Sequence, residues 1–123
     1  MSYFSEKKLS CPCCGRNLIK TDFLFKLNAL REECGFPFVV TSAYRCMKHN
    51  AKVGGKDRSP HPLGRGIDIH VIGGQALKVI QLAGKHGFTG VGVNQKGPSK
   101  GRFIHLDDMP NELDRYRPWI WTY

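Results

Sequence analysis

Apolar residues recur at helical spacing from Thr21 to Gly35, where Phe23, Leu27, Leu30 and Cys34 stand at i, i+4, i+7 and i+11. Thr21 is placed as an N-cap, Asp22 suits the first turn, and Gly35 sits where a C-cap belongs, so the pattern predicts a helix over 22–34. Phe38 to Thr41 is a short β-favouring run that ends at Ser42-Ala43-Tyr44-Arg45, which brings Arg45 out at a strand end. Residues 46–64 carry two adjacent glycines and two prolines, and read as one or two helical turns followed by a loop that delivers His61. From Gly66 to Val71 the alternation is clean, with Ile67, Ile69 and Val71 on one strand face and Asp68 and His70 on the other. A second amphipathic helix is predicted over 75–86, with Ala76, Leu77, Ile80 and Ala83 inward and Gly87 as its stop. Phe88 to Val93 is a glycine-dotted strand and 94–101 an exposed basic turn. The turn feeds a last strand in which Phe103, His105 and Asp107 share one face and Ile104 and Leu106 the other.

These elements predict a small α+β fold, an antiparallel sheet with a polar site on one face and helices packed on the other. Residues 1–20, interrupted by Cys-Pro-Cys-Cys-Gly, are expected to be an irregular lead segment of the same domain, with 21–123 forming the single domain proper. Of the aromatic tail RPWIWTY, which could cover a site or seal the core, the core is the favoured place.

Composition narrows the partners. With 123 residues there is room for one core. No apolar run is long enough to cross a membrane, and the start MSYFSEKKLSCPCC lacks the apolar stretch of a secretory signal. Synthesis in the cytoplasm and a monomeric state are therefore expected, without membrane insertion. Nineteen Lys and Arg against ten Asp and Glu give a formal charge of +9, which favours polyanions such as nucleic acid, anionic lipid or a bacterial wall, although solubility alone also accounts for it. Five cysteines, Cys11, Cys13, Cys14, Cys34 and Cys46, form one C-x-x-C and no second pair, and small buried thiols are the favoured reading. A disulfide from the Cys11–Cys14 group to Cys46 stays open.

Chemistry concentrates in SPHPLGRGIDIH and GRFIHLDD. Asp68 and His105 are polar residues on otherwise apolar strands, and His61 lies in a loop rich in glycine and proline. Taken one by one they are a strand carboxylate, a core histidine and a surface histidine. Taken together they fit a shared ion. Two imidazoles and a carboxylate suit Zn2+ and leave a fourth position for water, the arrangement of hydrolytic rather than structural zinc.

The segments SAYRCMKHNAKVGG, SPHPLGRGIDIH, GFTGVGV and FIHLDD resemble, in order and over about residues 20–110, the motifs of the zinc D-alanyl-D-alanine carboxypeptidase family. That family is similar in fold to the hedgehog signalling domain and includes the L-alanyl-D-glutamate endopeptidases that bacteriophages use as endolysins. The resemblance implies zinc on His61, Asp68 and His105, within a pattern that also takes in Ser59 and Gly64 and has Gly66 where alanine is usual. It implies peptidoglycan peptides as substrate, rather than nucleic acid, and a substrate-holding Arg45, whose fork geometry suits carboxylate or carbonyl oxygen. Ser59 and His70 are further substrate-side candidates. Where many members of the family carry an acidic base, three residues before the last zinc histidine, this chain has Arg102. Asp107, on the face of His105, is the substitute candidate, with a hydrogen-bonding role towards a histidine N–H as its alternative and His70 as a third option for the base. The missing acid also motivates a catalytically silent wall-binding or morphogenetic module, and CPCC with the positive charge a small nucleic-acid protein.

Overall fold

The computed structural model describes residues 2–56 and 58–123. Among them, four α-helices and a five-stranded sheet form an α+β fold. In chain order the elements are α1 (Glu6–Leu9), α2 (Thr21–Cys34), β1 (Val39–Ser42), α3 (Met47–Lys52), β2 (Gly66–His70), α4 (Gly73–Ala83), β3 (Gly90–Asn94), β4 (Phe103–Asp107) and β5 (Trp119–Thr122).

The sheet runs β1-β2-β4-β3-β5. Its first four strands pair antiparallel, and β5 joins the β3 edge in parallel, so the sheet is mixed rather than purely antiparallel. The β2–β4 register sets Asp68 beside His105, and the β3–β4 register sets Gly92 on the other side of His105. Because successive side chains alternate across a strand, Ile67, Ile69, Ile104 and Leu106 turn together to the opposite face. There they pack, fully buried, against Phe23, Leu27 and Leu30 of α2 and Val79 of α4. Burying each of these large side chains stabilises the fold by roughly 1.5–3 kcal/mol. One face of the sheet is thereby committed to the core and the other is left for polar side chains.

The helix over 22–34 forms with all four predicted stripe residues buried and Gly35 closing it in the left-handed conformation, φ 80°. Thr21 is the first helical residue rather than the cap: Lys20 occupies that position and offers no capping side chain. The second amphipathic helix starts two residues earlier than predicted, at Gly73, and ends at Ala83 in a 3-10 turn over Gly84–His86. Its buried stripe is Ala76, Val79 and Ala83, with Ile80 partly buried, while Leu77 is exposed. The correction is one of phase, since i, i+3, i+7 from Ala76 gives a narrower stripe than the one predicted.

The lead segment contains one short helix, α1, and residues 10–20 form no helix or strand. Ser5 caps α1 by accepting a hydrogen bond from the Lys8 amide, and Phe4 and Leu9 enter the core cluster. The Leu9 carbonyl also accepts from the Tyr44 amide at 3.1 Å, which fastens this segment beside the end of β1. Of the cysteines, Cys11 and Cys34 are buried, but Cys13 and Cys14 are exposed, and all five are free thiols.

The tail is the largest departure. It forms β5, with Trp119, Ile120 and Tyr123 more than half, or half, exposed, so it does not seal the core. No helix among the described residues is long and apolar enough to cross a membrane.

Candidate metal centre

His61, Asp68 and His105 converge. Each offers one ligand atom, all three within 4.8 Å of one another, and all three residues are buried. Strand pairing supplies two of them directly, because Asp68 and His105 are register partners on β2 and β4. The third arrives on a loop that Gly64, φ 72°, and Gly66 allow to fold tightly back. A Cβ at Gly64 would meet the Leu18 carbonyl oxygen at 2.1 Å, and one at Gly66 would lie 2.9 Å from the Pro60 side chain. The glycine standing where alanine is usual is therefore required by this loop's close packing.

The ring orientations are set from behind. His61 donates from Nδ1 to the Ala43 carbonyl at 2.6 Å, which turns Nε2 towards Asp68 Oδ1 at 3.3 Å. His105 presents Nδ1 to the same Oδ1 at 2.9 Å, and its Nε2 faces Asp107 Oδ2 at 2.8 Å. Zinc donors bound at about 2.0–2.2 Å in a tetrahedron stand roughly 3.3–3.6 Å apart, so the His105–Asp68 contact needs about half an ångström of opening and the His61–Asp68 contact less. Each inward-facing nitrogen belongs to a ring whose other nitrogen has a fixed acceptor, the arrangement that holds a metal-binding imidazole in one tautomer. The donor set thus fits Zn2+ in both chemistry and spacing.

Electrostatics agree with the geometry. Burial alone would raise the Asp68 carboxyl, but hydrogen bonds from His105 and His61 outweigh it and hold the group far below the ordinary carboxylate range. Burial would lower the His105 imidazole, yet its contacts with Asp107 and Asp68 raise it.

Asp107 lies on the side of the His105 ring away from Asp68. It is fully buried. Its Oδ1 accepts from the Met109 amide and Arg117 Nε, and its Oδ2 accepts from Arg117 Nη2 and faces His105. Burial would raise its carboxyl, but His105 and Arg117 hold it at about 2. Both oxygens are thus occupied on the far side of the ring, an arrangement that fits the hydrogen-bonding role set out above as the alternative to a base.

Arg45 reaches the cluster. Its Nε donates to Ser42 Oγ at 3.0 Å, Nη1 to Asn50 Oδ1 at 3.2 Å, and Nη2 approaches Asp68 Oδ2 at 3.5 Å. Ser59 lines the same cleft and accepts from the His61 amide. His70 is not brought to the site: it bonds the Arg102 carbonyl at 2.8 Å and lies outside the cleft lining. The Arg102 side chain is likewise turned away, donating to the Gly97 carbonyl.

The ligands open into a cleft of about 800 Å³. Its far wall is the tail, which sequence reasoning assigned to the core. The Trp121 ring packs tilted against His105, centroids 5.3 Å apart, and Arg117 lies over Trp121 while gripping Asp107. Two glycines of GFTGVGV make this fit. A Cβ at Gly90 would fall 2.4 Å from the Asp107 carboxylate, and one at Gly92 would fall 2.7 Å from Trp121. Those close-spaced glycines were the available signal that something bulky crosses β3.

No curated protein matches the sequence. A family profile does, across residues 4–107, a span that takes in the three ligands, Arg45 and Asp107. Since that span is most of the chain and ends with the strand carrying the last histidine, the chain belongs to the Peptidase M15 family of zinc-dependent metallopeptidases.

Proposed function

We propose that this protein hydrolyses peptide bonds in the stem peptides or cross-links of bacterial peptidoglycan, with zinc held by His61, Asp68 and His105. The observation that carries this reading is the convergence of three buried ligand atoms at the floor of an open cleft, each imidazole steered by an acceptor on its far side. Family membership supports the substrate class. When bound, zinc supplies Lewis acidity towards a carbonyl and towards water.

The chain's own residues do the rest. Arg45, braced by Ser42 and Asn50, presents a guanidinium at the cleft floor that binds a substrate carboxylate or carbonyl. Lys56 adds positive charge to the wall, which suits peptides rich in free carboxylates. Trp121 covers the His105 ring, and Tyr123 packs beside it on Phe103. Asp107 and Ala43 keep the two imidazoles facing inward. In this reading the protein acts on the wall in phage or prophage lysis, or in wall remodelling, and as a carboxypeptidase or an endopeptidase.

The test is digestion of purified peptidoglycan and of defined stem peptides by the zinc-loaded chain, followed by mass measurement of the fragments. New amino groups are expected, and their loss in His61→Ala with the fold retained. Equal release by that variant overturns the reading.

One observation favours a second reading, a wall-binding module without hydrolysis. Among the described residues, the carboxylate lining the cleft besides Asp68 is Asp114, and it is ion-paired to Arg58. Binding of wall fragments by the zinc-loaded chain with no cleavage would select it.

A further inference from the structure

The cysteines form a second convergence, far simpler in chemistry than the first. Cys11, Cys13, Cys14 and Cys46 each offer a sulfur, and the four sulfurs lie within 4.8 Å of one another. Cys46 Sγ stands 3.7 Å from Cys11 Sγ and 3.4 Å from Cys13 Sγ. We infer that these four sulfurs hold a structural zinc ion, distinct from the histidine and aspartate site, which pins the amino-terminal segment to the loop carrying Arg45.

Distance separates this from the disulfide left open by the sequence. Four thiolates bound at about 2.3 Å in a tetrahedron stand roughly 3.8 Å apart. A disulfide needs about 2.05 Å, joins two sulfurs and leaves the others without a role. Here Cys46 is nearly equidistant from two sulfurs on the opposing turn, as one corner of a tetrahedron is.

The backbone is shaped for the same end. Cys11 to Gly15 is a tight turn in which the Cys11 carbonyl accepts from the Gly15 amide at 2.8 Å and the Cys11 amide donates to the Arg16 carbonyl at 2.8 Å. Gly15 holds φ 74°, which allows Cys11, Cys13 and Cys14 to lie on one turn. Backbone amides also point at sulfur: Cys46 N–H towards Cys11 Sγ at 3.5 Å and His49 N–H towards Cys46 Sγ at 3.4 Å. Amide donors of this kind stabilise thiolates. On binding, four thiols release four protons and one Zn2+ takes their place, so the centre carries a net charge of −2 in a strongly basic chain. A closed set of four sulfurs leaves no position for water, which makes the site structural rather than hydrolytic. The pair C-x-x-C finds its missing partners in the middle of its own turn and 32 residues downstream of Cys14.

Its place gives it a purpose. Cys46 follows Arg45 directly and caps α3, whose Asn50 holds the Arg45 guanidinium. A tie at Cys46 therefore fixes the base of the arginine that faces Asp68.

The experiment uses the full chain purified under reducing conditions, with zinc content and zinc-edge X-ray absorption measured on wild type and on His61→Ala/His105→Ala. Two zinc ions per chain are expected in wild type and one in the double variant, the latter with sulfur-only coordination. Cobalt substitution of the double variant should give the intense thiolate-to-metal charge-transfer bands of a tetrahedral sulfur site. Cys11→Ser/Cys14→Ser should lose that signature. A double histidine variant that binds no zinc, or that shows a Cys13–Cys46 disulfide by mass spectrometry after anaerobic handling, overturns the inference. Because the variant already lacks the histidine ligands, the result stands apart from that of the peptide-cleavage test.

Discussion

Asp107 shows how one buried carboxylate is given its task by what surrounds it. Sequence position alone places it beside His105 on a strand face, where base and orienting group are equally reasonable. We propose the orienting role, since Oδ2 is already shared between Arg117 and His105 and Oδ1 between Arg117 and the Met109 amide. Asp107→Asn should weaken zinc binding at the histidine site by about 10- to 100-fold, with turnover restored once zinc is in excess. Competition against a chelator and kcat at saturating metal are the two measurements. Unchanged affinity with turnover abolished would instead make Asp107 the proton acceptor. The ligands themselves were legible because a charged residue on an apolar strand demands a partner. Arg117 was not, since an arginine in the tail looks like any other exposed cation until the chain is seen to return along β3 and reach Asp107.

At the level of elements, periodicity was enough wherever an element is long and one-sided. Helix α2 and strands β2 and β4 follow their patterns almost residue for residue. Helix α1 has four residues, fewer than the spacing needed to display a stripe, and so left no trace in the pattern. Strand β5 was hidden for a different reason. WIWT alternates as a strand does, but its parallel partner lies about thirty residues earlier, and the choice between core and cleft depends on which face the neighbouring strand leaves empty. Gly92 leaves it empty. Gly92→Val should push Trp121 off His105 and destabilise the fold by about 1–3 kcal/mol, read as a lower urea midpoint, together with a change in tryptophan fluorescence. A variant with unaltered fluorescence and stability would show that β5 does not rest on this glycine.

For the molecule as a whole, charge is arranged so that its buried carboxylates depend on cations behind and beside them. Asp107 titrates at about 2 in the fold, below the roughly 3.9 of an unfolded aspartate. A depressed folded value contributes stability above the unfolded value, and that stability is lost as pH falls through the folded one. The lowered Asp68 carboxyl acts in the same direction. Equilibrium unfolding of the metal-free chain should therefore show stability declining from about pH 4 to about pH 2, with a smaller decline in Asp107→Asn. A decline of equal size in that variant would assign the acid sensitivity elsewhere. The hydrogen bond between the Leu9 carbonyl and the Tyr44 amide has a consequence of its own. Tyr44 is flanked by Ala43, whose carbonyl steers His61, and by Arg45. Proteolytic trimming of the first ten residues would spare every ligand yet slacken the peptide units on which the first histidine leans, so this amino-terminal hook belongs with the metal centre it never touches.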